Sequence, residues 1–273
     1  MDINTIYIVL RSIRKFQPEK ITRTLLRRGV FIKPGLETSE PHQAALRYRD
    51  ALLEKGIQMR GKHILVFGYG GRFAIGVELL RLGADHVTLT DLFAPPDERR
   101  NDDLLPEFSD YLEVVNGKVH PKEQYLTLLH GDIRQTAKVL AQHPLDAVVS
   151  SSVYEHLDDV DGITCALQST LKPGGFFVAY IDLRDHYFKY PFEMLCYSAT
   201  MWKKWLNPTS NLNRYRLRDY RKVFVANLPD YEVDVLERDL ARFNQVRARI
   251  RPEFISGIDE DDAVMQIRVM AIK

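Results

Sequence analysis

The stretch His63-Ile64-Leu65-Val66-Phe67-Gly68-Tyr69-Gly70-Gly71-Arg72, continued by residues 73–82 and by His86-Val87-Thr88-Leu89-Thr90-Asp91, decides the fold. An apolar run bounded by clustered glycines reads as a buried strand and its turn. Residues 73–82 then carry apolar side chains at helical spacing and stop at Gly83, and 86–91 form a second strand ending on an acid. Strand, helix and strand of these lengths make a βαβ unit with parallel strands. Ligands of open parallel sheets lie outside the carboxyl ends of the strands, so the turn 68–72 is the first place to look for a site.

The alternation continues outward from this unit. Residues 125–130 read as strand, 134–142 as helix, 146–150 as strand, 154–171 as helix and 176–183 as a buried strand. Near-continuous apolar strands separated by helices predict an α/β fold with a mostly parallel sheet covered on both faces. Residues 231–236 and 263–272 read as two further strands joined by a polar, irregular loop, which predicts an antiparallel end to the sheet. Between 184 and 219 the rhythm breaks into an aromatic-rich stretch with Tyr187, Phe188, Tyr190, Phe192, Tyr197, Trp202 and Trp205, read as an insertion over the site. Upstream, Ile6, Val9, Leu10 and Ile13 share one helical face and Arg11, Arg14 and Lys15 the other, the pattern of a helix laid on a core. A second helix, 44–53, starts after Ser39 and Pro41 and stops at Gly56. The expected organisation is a helical lead-in over 1–60, a ligand-binding core over 61–183, an inserted cap over 184–220 and completion of the core sheet over 221–273.

Composition narrows the class of function. The 273 residues include 38 basic and 37 acidic side chains, a net charge of +1, so nothing asks for a nucleic-acid partner. The apolar run at 6–10 is too short to span a membrane, and membrane insertion is not expected. Cys165 and Cys196 fit neither a disulfide framework nor zinc spacing, which predicts a reducing, cytoplasmic compartment and no metal site.

Around the turn, Gly68, Tyr69, Gly70 and Gly71 offer backbone N–H groups to a ligand, and the following helix adds its N-terminal dipole. The dinucleotide fingerprint needs a small residue at position 73, where Phe73 stands, which counts against a nicotinamide or flavin enzyme. Asp91, with Leu92 beside it, sits where an acid accepts hydrogen bonds from ribose hydroxyls, or where it would cap a helix. Asp132, in Gly131-Asp132-Ile133, reads as an acceptor for an exocyclic adenine amine with Ile133 on the ring, or as a plain turn aspartate.

The ordered motifs HILVFGYGG, VTLTD, LLHGDI, DAVVSSSVYEHL and LKPGGFFVAYIDL resemble those of class I S-adenosylmethionine-dependent methyltransferases over residues 60–183. The resemblance implies a Rossmann-like methyltransferase fold with a seven-stranded sheet and S-adenosyl-L-methionine as cofactor. By the same resemblance, Gly68, Gly70 and Gly71 lie under its methionine part, Asp91 binds the ribose, Asp132 and Ile133 hold the adenine, and Ser150 and Ser151 line the sulfonium end. The family usually has an acid two residues before the first glycine, and this chain has Val66. Magnesium-binding relatives carry a glutamate at the position of Ser152, so a metal is not expected.

Methyl transfer needs an aligned nucleophile and a group to take its proton. His186, following the fifth strand, is the first candidate base, and Tyr154-Glu155-His156 after the fourth strand holds the alternatives. Glu155 reads equally as a dipole-compensating acid at a helix start. Asp185, Asn213 and Arg214 are candidates for holding a small-molecule substrate, Arg214 by clamping an anionic group or else by anchoring the cap. The expected reaction is O- or N-methylation of a small molecule such as a natural product or a sugar-type metabolite. Three alternatives stay open: transfer or cyclisation of another part of the cofactor, an NAD(P)-dependent oxidoreductase, and a non-catalytic binding protein.

Overall fold

Alternate residues of the first strand, β1 (His63–Phe67), enter different cores, Ile64 and Val66 on one face of the sheet and Leu65 and Phe67 on the other. That is the period-two geometry of a strand covered on both sides. The computed structural model describes residues 7–9, 11–12, 36–185, 190–207 and 211–273. The remaining main strands are β2 (His86–Asp91), β5 (Leu126–His130), β6 (Leu145–Ser151), β7 (Leu171–Asp182), β8 (Glu232–Arg238) and β9 (Val264–Ile272). They form one seven-stranded sheet in the order β5-β2-β1-β6-β7-β9-β8, with β9 antiparallel to both neighbours and the other pairings parallel. The order reverses beside β1, so the crevice at the carboxyl ends of β1, β2 and β6 is the switch point where a ligand fits.

Helices α1 (Pro41–Glu54) and α2 (Ala74–Arg81) bury Ala44, Tyr48, Leu52, Val77 and Leu80 against one face. On the other face α4 (Val160–Thr170) and α5 (Leu217–Asn227) bury Val160, Leu167, Leu217, Tyr220 and Phe224, with Ile133 of α3 (Ile133–Leu140) beside them. A third cluster gathers Phe192, Tyr197, Trp202, Leu206 and Leu212 of the aromatic stretch with Tyr7 and with Phe243, Val246 and Ile250 from beyond β8. The buried aromatics of this stretch therefore share a core with Tyr7 and with residues beyond β8, while Trp205 stays 50% exposed.

Several expectations change. Residues 154–171 are not one helix: Tyr154–His156 is a single 3-10 turn, α4 begins at Val160 under an Asp159 cap, and Leu171 already pairs with Leu145. The Lys172-Pro173-Gly174-Gly175 turn is a register irregularity inside β7. The polar connection between β8 and β9 contains a helix, α6 (Leu240–Val246), opened by an Asp239 cap that accepts from Arg242 N. A hairpin of β3 (Leu112–Val115) and β4 (Lys118–Pro121) stands apart from the main sheet and turns through Asn116-Gly117, both at positive φ.

At the N-terminus Tyr7, Ile8, Val9, Arg11 and Ser12 are helical, as expected, but the buried face is a different one. Val9 is 41% exposed, whereas Tyr7 and Arg11 are fully buried. Arg11, expected on the solvent face, turns inward because Asp185 supplies a buried counter-charge, and apolar periodicity is blind to such a partner. Ile6, Leu10, Ile13, Arg14 and Lys15 lie outside the described residues.

Candidate active site

The glycine turn takes backbone conformations that side chains resist. Gly68, Gly70 and Gly71 all have positive φ, and a Cβ on Gly71 would stand 2.3 Å from the Pro95 carbonyl oxygen. Asn101, fully buried, locks the turn from outside, accepting from Phe73 N at 2.9 Å and donating to the Gly71 carbonyl at 3.0 Å. Phe73 is itself buried and stacks on Tyr69 at 6.4 Å. Close packing of α2 on the sheet is supplied three residues later by Gly76, whose Cβ would come within 2.7 Å of Leu126.

Asp91 ends β2 facing this turn. Its Oδ2 accepts from Gly70 N at 3.1 Å and its Oδ1 from Phe93 N and Ala94 N at 2.8 Å, so it ties the two loops together and caps no helix. An ionised carboxylate offers about four acceptor directions, and three are used, which leaves room for a hydroxyl. Leu92 beside it is exposed. Asp132 caps α3 by accepting from Arg134 N at 2.9 Å, and the Arg134 side chain holds its carboxyl below the usual range. Ile133 is buried under the other face. Ser150 is buried and donates to the Phe67 carbonyl at 3.0 Å, whereas Ser151 at the end of β6 accepts from Arg47 at 3.0 Å.

Of the candidate bases, Tyr154 does not face the crevice. Its ring is core, packed against Phe67, Phe177 and Phe224, and burial raises its phenol far above the ordinary range. Glu155 is 3% exposed, and neither carboxylate oxygen has a hydrogen-bond partner among the described residues. Burial first and Asp182 second push its carboxyl well up, towards the neutral acid. The dipole role fails because the α-helix starts only at Val160. His156 is half-buried with Nδ1 3.3 Å from the Asn211 carbonyl, which can only accept, so Nδ1 carries the hydrogen and Nε2 is the basic nitrogen. His186 lies outside the described residues.

The three substrate candidates are structural in this arrangement. Asp185 is fully buried and paired with Arg11 and Tyr7. Asn213 clasps the turn after β6, donating to the Tyr154 carbonyl at 2.8 Å and the Leu157 carbonyl at 3.1 Å. Arg214 donates to the Met194 and Tyr197 carbonyls and lies over the Trp202 and Phe254 rings, so it ties the aromatic stretch together. Burial lowers its guanidinium to about 10, which still leaves it charged.

A group absent from the motif reading borders the same crevice. The one-turn helix Leu36–Ser39 places Glu37 against the Tyr48 hydroxyl of α1, which donates to it. Arg72 of the glycine turn donates to the Thr38 carbonyl at 3.2 Å. Arg47 lies 3.7 Å from the Tyr180 ring centre. In sequence Arg47 and Tyr48 look like an ordinary helix surface, and no spacing rule points to Glu37.

Residues 103–179 match the sequence profile of a family described as a methyltransferase domain. No curated protein sequence matches the chain. Among solved structures it resembles the geranyl diphosphate C-methyltransferase of Streptomyces coelicolor A3(2), in complex with Mg2+, geranyl diphosphate and S-adenosyl-L-homocysteine. The identity is 14% and the TM-score 0.52, over 85% of this chain and 80% of that one. It also resembles a geranyl diphosphate methyltransferase in complex with SAM, at 13% identity and a TM-score of 0.51, over 85% of this chain and 84% of that one. These likenesses show a fold shared with methyltransferases, and the profile marks a methyltransferase domain over residues 103–179.

Proposed function

We propose that the chain transfers the methyl group of S-adenosylmethionine to a nucleophilic atom of a small molecule held under the cap. The observation that carries this reading is the switch-point crevice, where the glycine turn faces the Asp91 carboxylate across one hydrogen bond. The residues present fit the cofactor: Gly70 has nothing within 4 Å of where its Cβ would be, so the turn opens to free space. Asp91 would take the ribose hydroxyls, Gly68, Tyr69, Gly70 and Gly71 the chain beyond them, and Ser151 the sulfonium end. Asp132 is the proposed adenine edge, with Arg134 as a competitor for the same carboxylate, while the Ile133 side chain, expected on the ring, is instead spent in the core. The unbonded cysteines Cys165 and Cys196 suit a reducing, cytoplasmic setting.

When bound, the cofactor supplies a methyl carbon already activated by a sulfonium. The protein's share is alignment, exclusion of water and acceptance of one proton. His186, one residue past the fixed Asp185, is the first proposed acceptor, and His156 through Nε2 is the second. A near-neutral net charge favours a small acceptor over a polyanion. The test is a mass-spectrometric screen of metabolite extracts with cofactor labelled in its methyl group. The expected result is one small molecule gaining one labelled methyl. Binding of S-adenosylhomocysteine without label appearing in any small molecule would contradict the proposal.

A further inference from the structure

Val66 stands where the resembled family carries an acid, and its side chain is fully buried in the core, so β1 presents no carboxylate to the crevice. A bound S-adenosylmethionine nevertheless brings a zwitterion at its amino-acid end, an ammonium and a carboxylate on one carbon. Desolvating either charge without a partner is costly.

Complementary charges reach the crevice from the N-terminal side instead. Glu37 neighbours Thr38, whose carbonyl is bonded by Arg72 of the glycine turn, so its helix lies against that turn. Its carboxylate accepts from the Tyr48 hydroxyl, and Tyr48 packs 5.9 Å from Tyr180. Arg47, next along the same helix, spreads over the Tyr180 ring and reaches Ser151 at 3.0 Å. Its Nε is buried without a hydrogen-bond partner among the described residues. Glu37 and Arg47 form no ion pair within 4.0 Å of each other, yet Arg47 is close enough to lower the Glu37 carboxyl. Burial outweighs that pull and pushes the carboxyl up to about 7, the signature of an acid short of a counter-charge.

The spacing also fits. Asp91 ends β2, Ser151 ends β6, and β1 lies between them. Two inter-strand steps of about 4.8 Å put the strand ends roughly 10 Å apart. The extended arm of the cofactor from ribose to α-carbon covers such a span. With its ribose on Asp91, its amino-acid end arrives at the edge where Arg47 meets Ser151.

We infer that Glu37 and Arg47 grip the amino-acid end of the cofactor, Glu37 taking the ammonium and Arg47 the carboxylate, in place of the acid missing from β1. This rests on the methyltransferase reading, and the test separates the two. Calorimetry is run on the full chain with S-adenosylhomocysteine, with 5′-methylthioadenosine, which lacks the amino-acid end, and with decarboxylated S-adenosylmethionine, which keeps only the ammonium. Glu37→Gln is expected to weaken S-adenosylhomocysteine and the decarboxylated compound by about tenfold or more, the scale of a lost charge-assisted hydrogen bond. It should leave 5′-methylthioadenosine within about twofold. Arg47→Gln should weaken only S-adenosylhomocysteine, with partial recovery in Arg47→Lys. Equal loss for all three ligands in either variant, or no loss for any, overturns the inference. Absence of S-adenosylhomocysteine binding in the wild type overturns the methyltransferase reading instead.

Discussion

Arg11 and Asp185, 174 residues apart, form an ion pair from which solvent is fully excluded. Tyr7 donates to the same carboxylate, and the Arg11 guanidinium lies 4.7 Å from the Trp202 ring centre. The N-terminal helix is thereby bolted to the segment immediately beyond β7. Breaking such a pair from one side strands the other charge in the interior, at a cost of about 3–5 kcal/mol. Arg11→Met should therefore lower unfolding stability by that amount in a urea titration, and Arg11→Met combined with Asp185→Leu should recover part of it. Stability within about 1 kcal/mol of wild type for the single variant would mean that the pair does not anchor the N-terminal helix.

The two middle glycines of the turn should behave differently from each other. Gly70→Ala meets open space and pays only for a left-handed backbone, about 1–2 kcal/mol. Gly71→Ala pays that and also drives a methyl into the Pro95 carbonyl. Urea unfolding of the ligand-free protein should find Gly71→Ala the less stable of the two, and the reverse order would refute the loop geometry.

Asn101 is the brace behind that turn. Asn101→Leu removes both of its bonds and leaves the Phe73 N–H without its acceptor, while the Gly71 carbonyl keeps the Asp97 N–H at 2.9 Å. A loss of roughly 1–3 kcal/mol is expected from the one unsatisfied group, together with weaker cofactor binding. A thermal melt that matches wild type would show that the turn holds itself.

Glu155 makes a prediction about pH. Its folded carboxyl is raised above its unfolded value, so the neutral acid is the form the fold tolerates. The associated stability is fully present below the ordinary carboxylate range and is lost as pH rises towards the raised value. Glu155→Gln keeps the shape without the charge, so its stability relative to wild type should grow from pH 4.5 upward. Glu37 and Glu193 are raised too, and they cancel in the difference between the two curves. Parallel curves for wild type and Glu155→Gln would place the charge of Glu155 in solvent.

The main strands and the mostly parallel sheet with its antiparallel end were legible in the sequence because the apolar runs of β1, β2 and β7 stop at a glycine or an acid and that of β6 at serines. The cap was not. Asp185, Asn213 and Arg214 look like ligand-binding groups in a loop, and each instead holds distant backbone or a buried charge that linear spacing does not reveal. Arg11 was misplaced for the same reason, and Tyr154 because a 3-10 turn points its ring under the sheet, where a helix would have started differently. Asp91 was readable since a strand end next to a glycine turn fixes both position and exposure. Glu37 gave no signal, as its importance comes from what α1 and the glycine turn bring beside it.

The crevice between the glycine turn and Asp91 is expected to hold S-adenosylmethionine, and titration of S-adenosylhomocysteine into wild type and Asp91→Ala tests this most directly. One site per chain is expected in the wild type. Loss of the charge-assisted ribose bonds, about 1–3 kcal/mol, should weaken binding in the folded variant by roughly 5- to 150-fold. Equal affinity in a folded Asp91→Ala, or preference of the wild type for NAD over S-adenosylhomocysteine, would contradict the account.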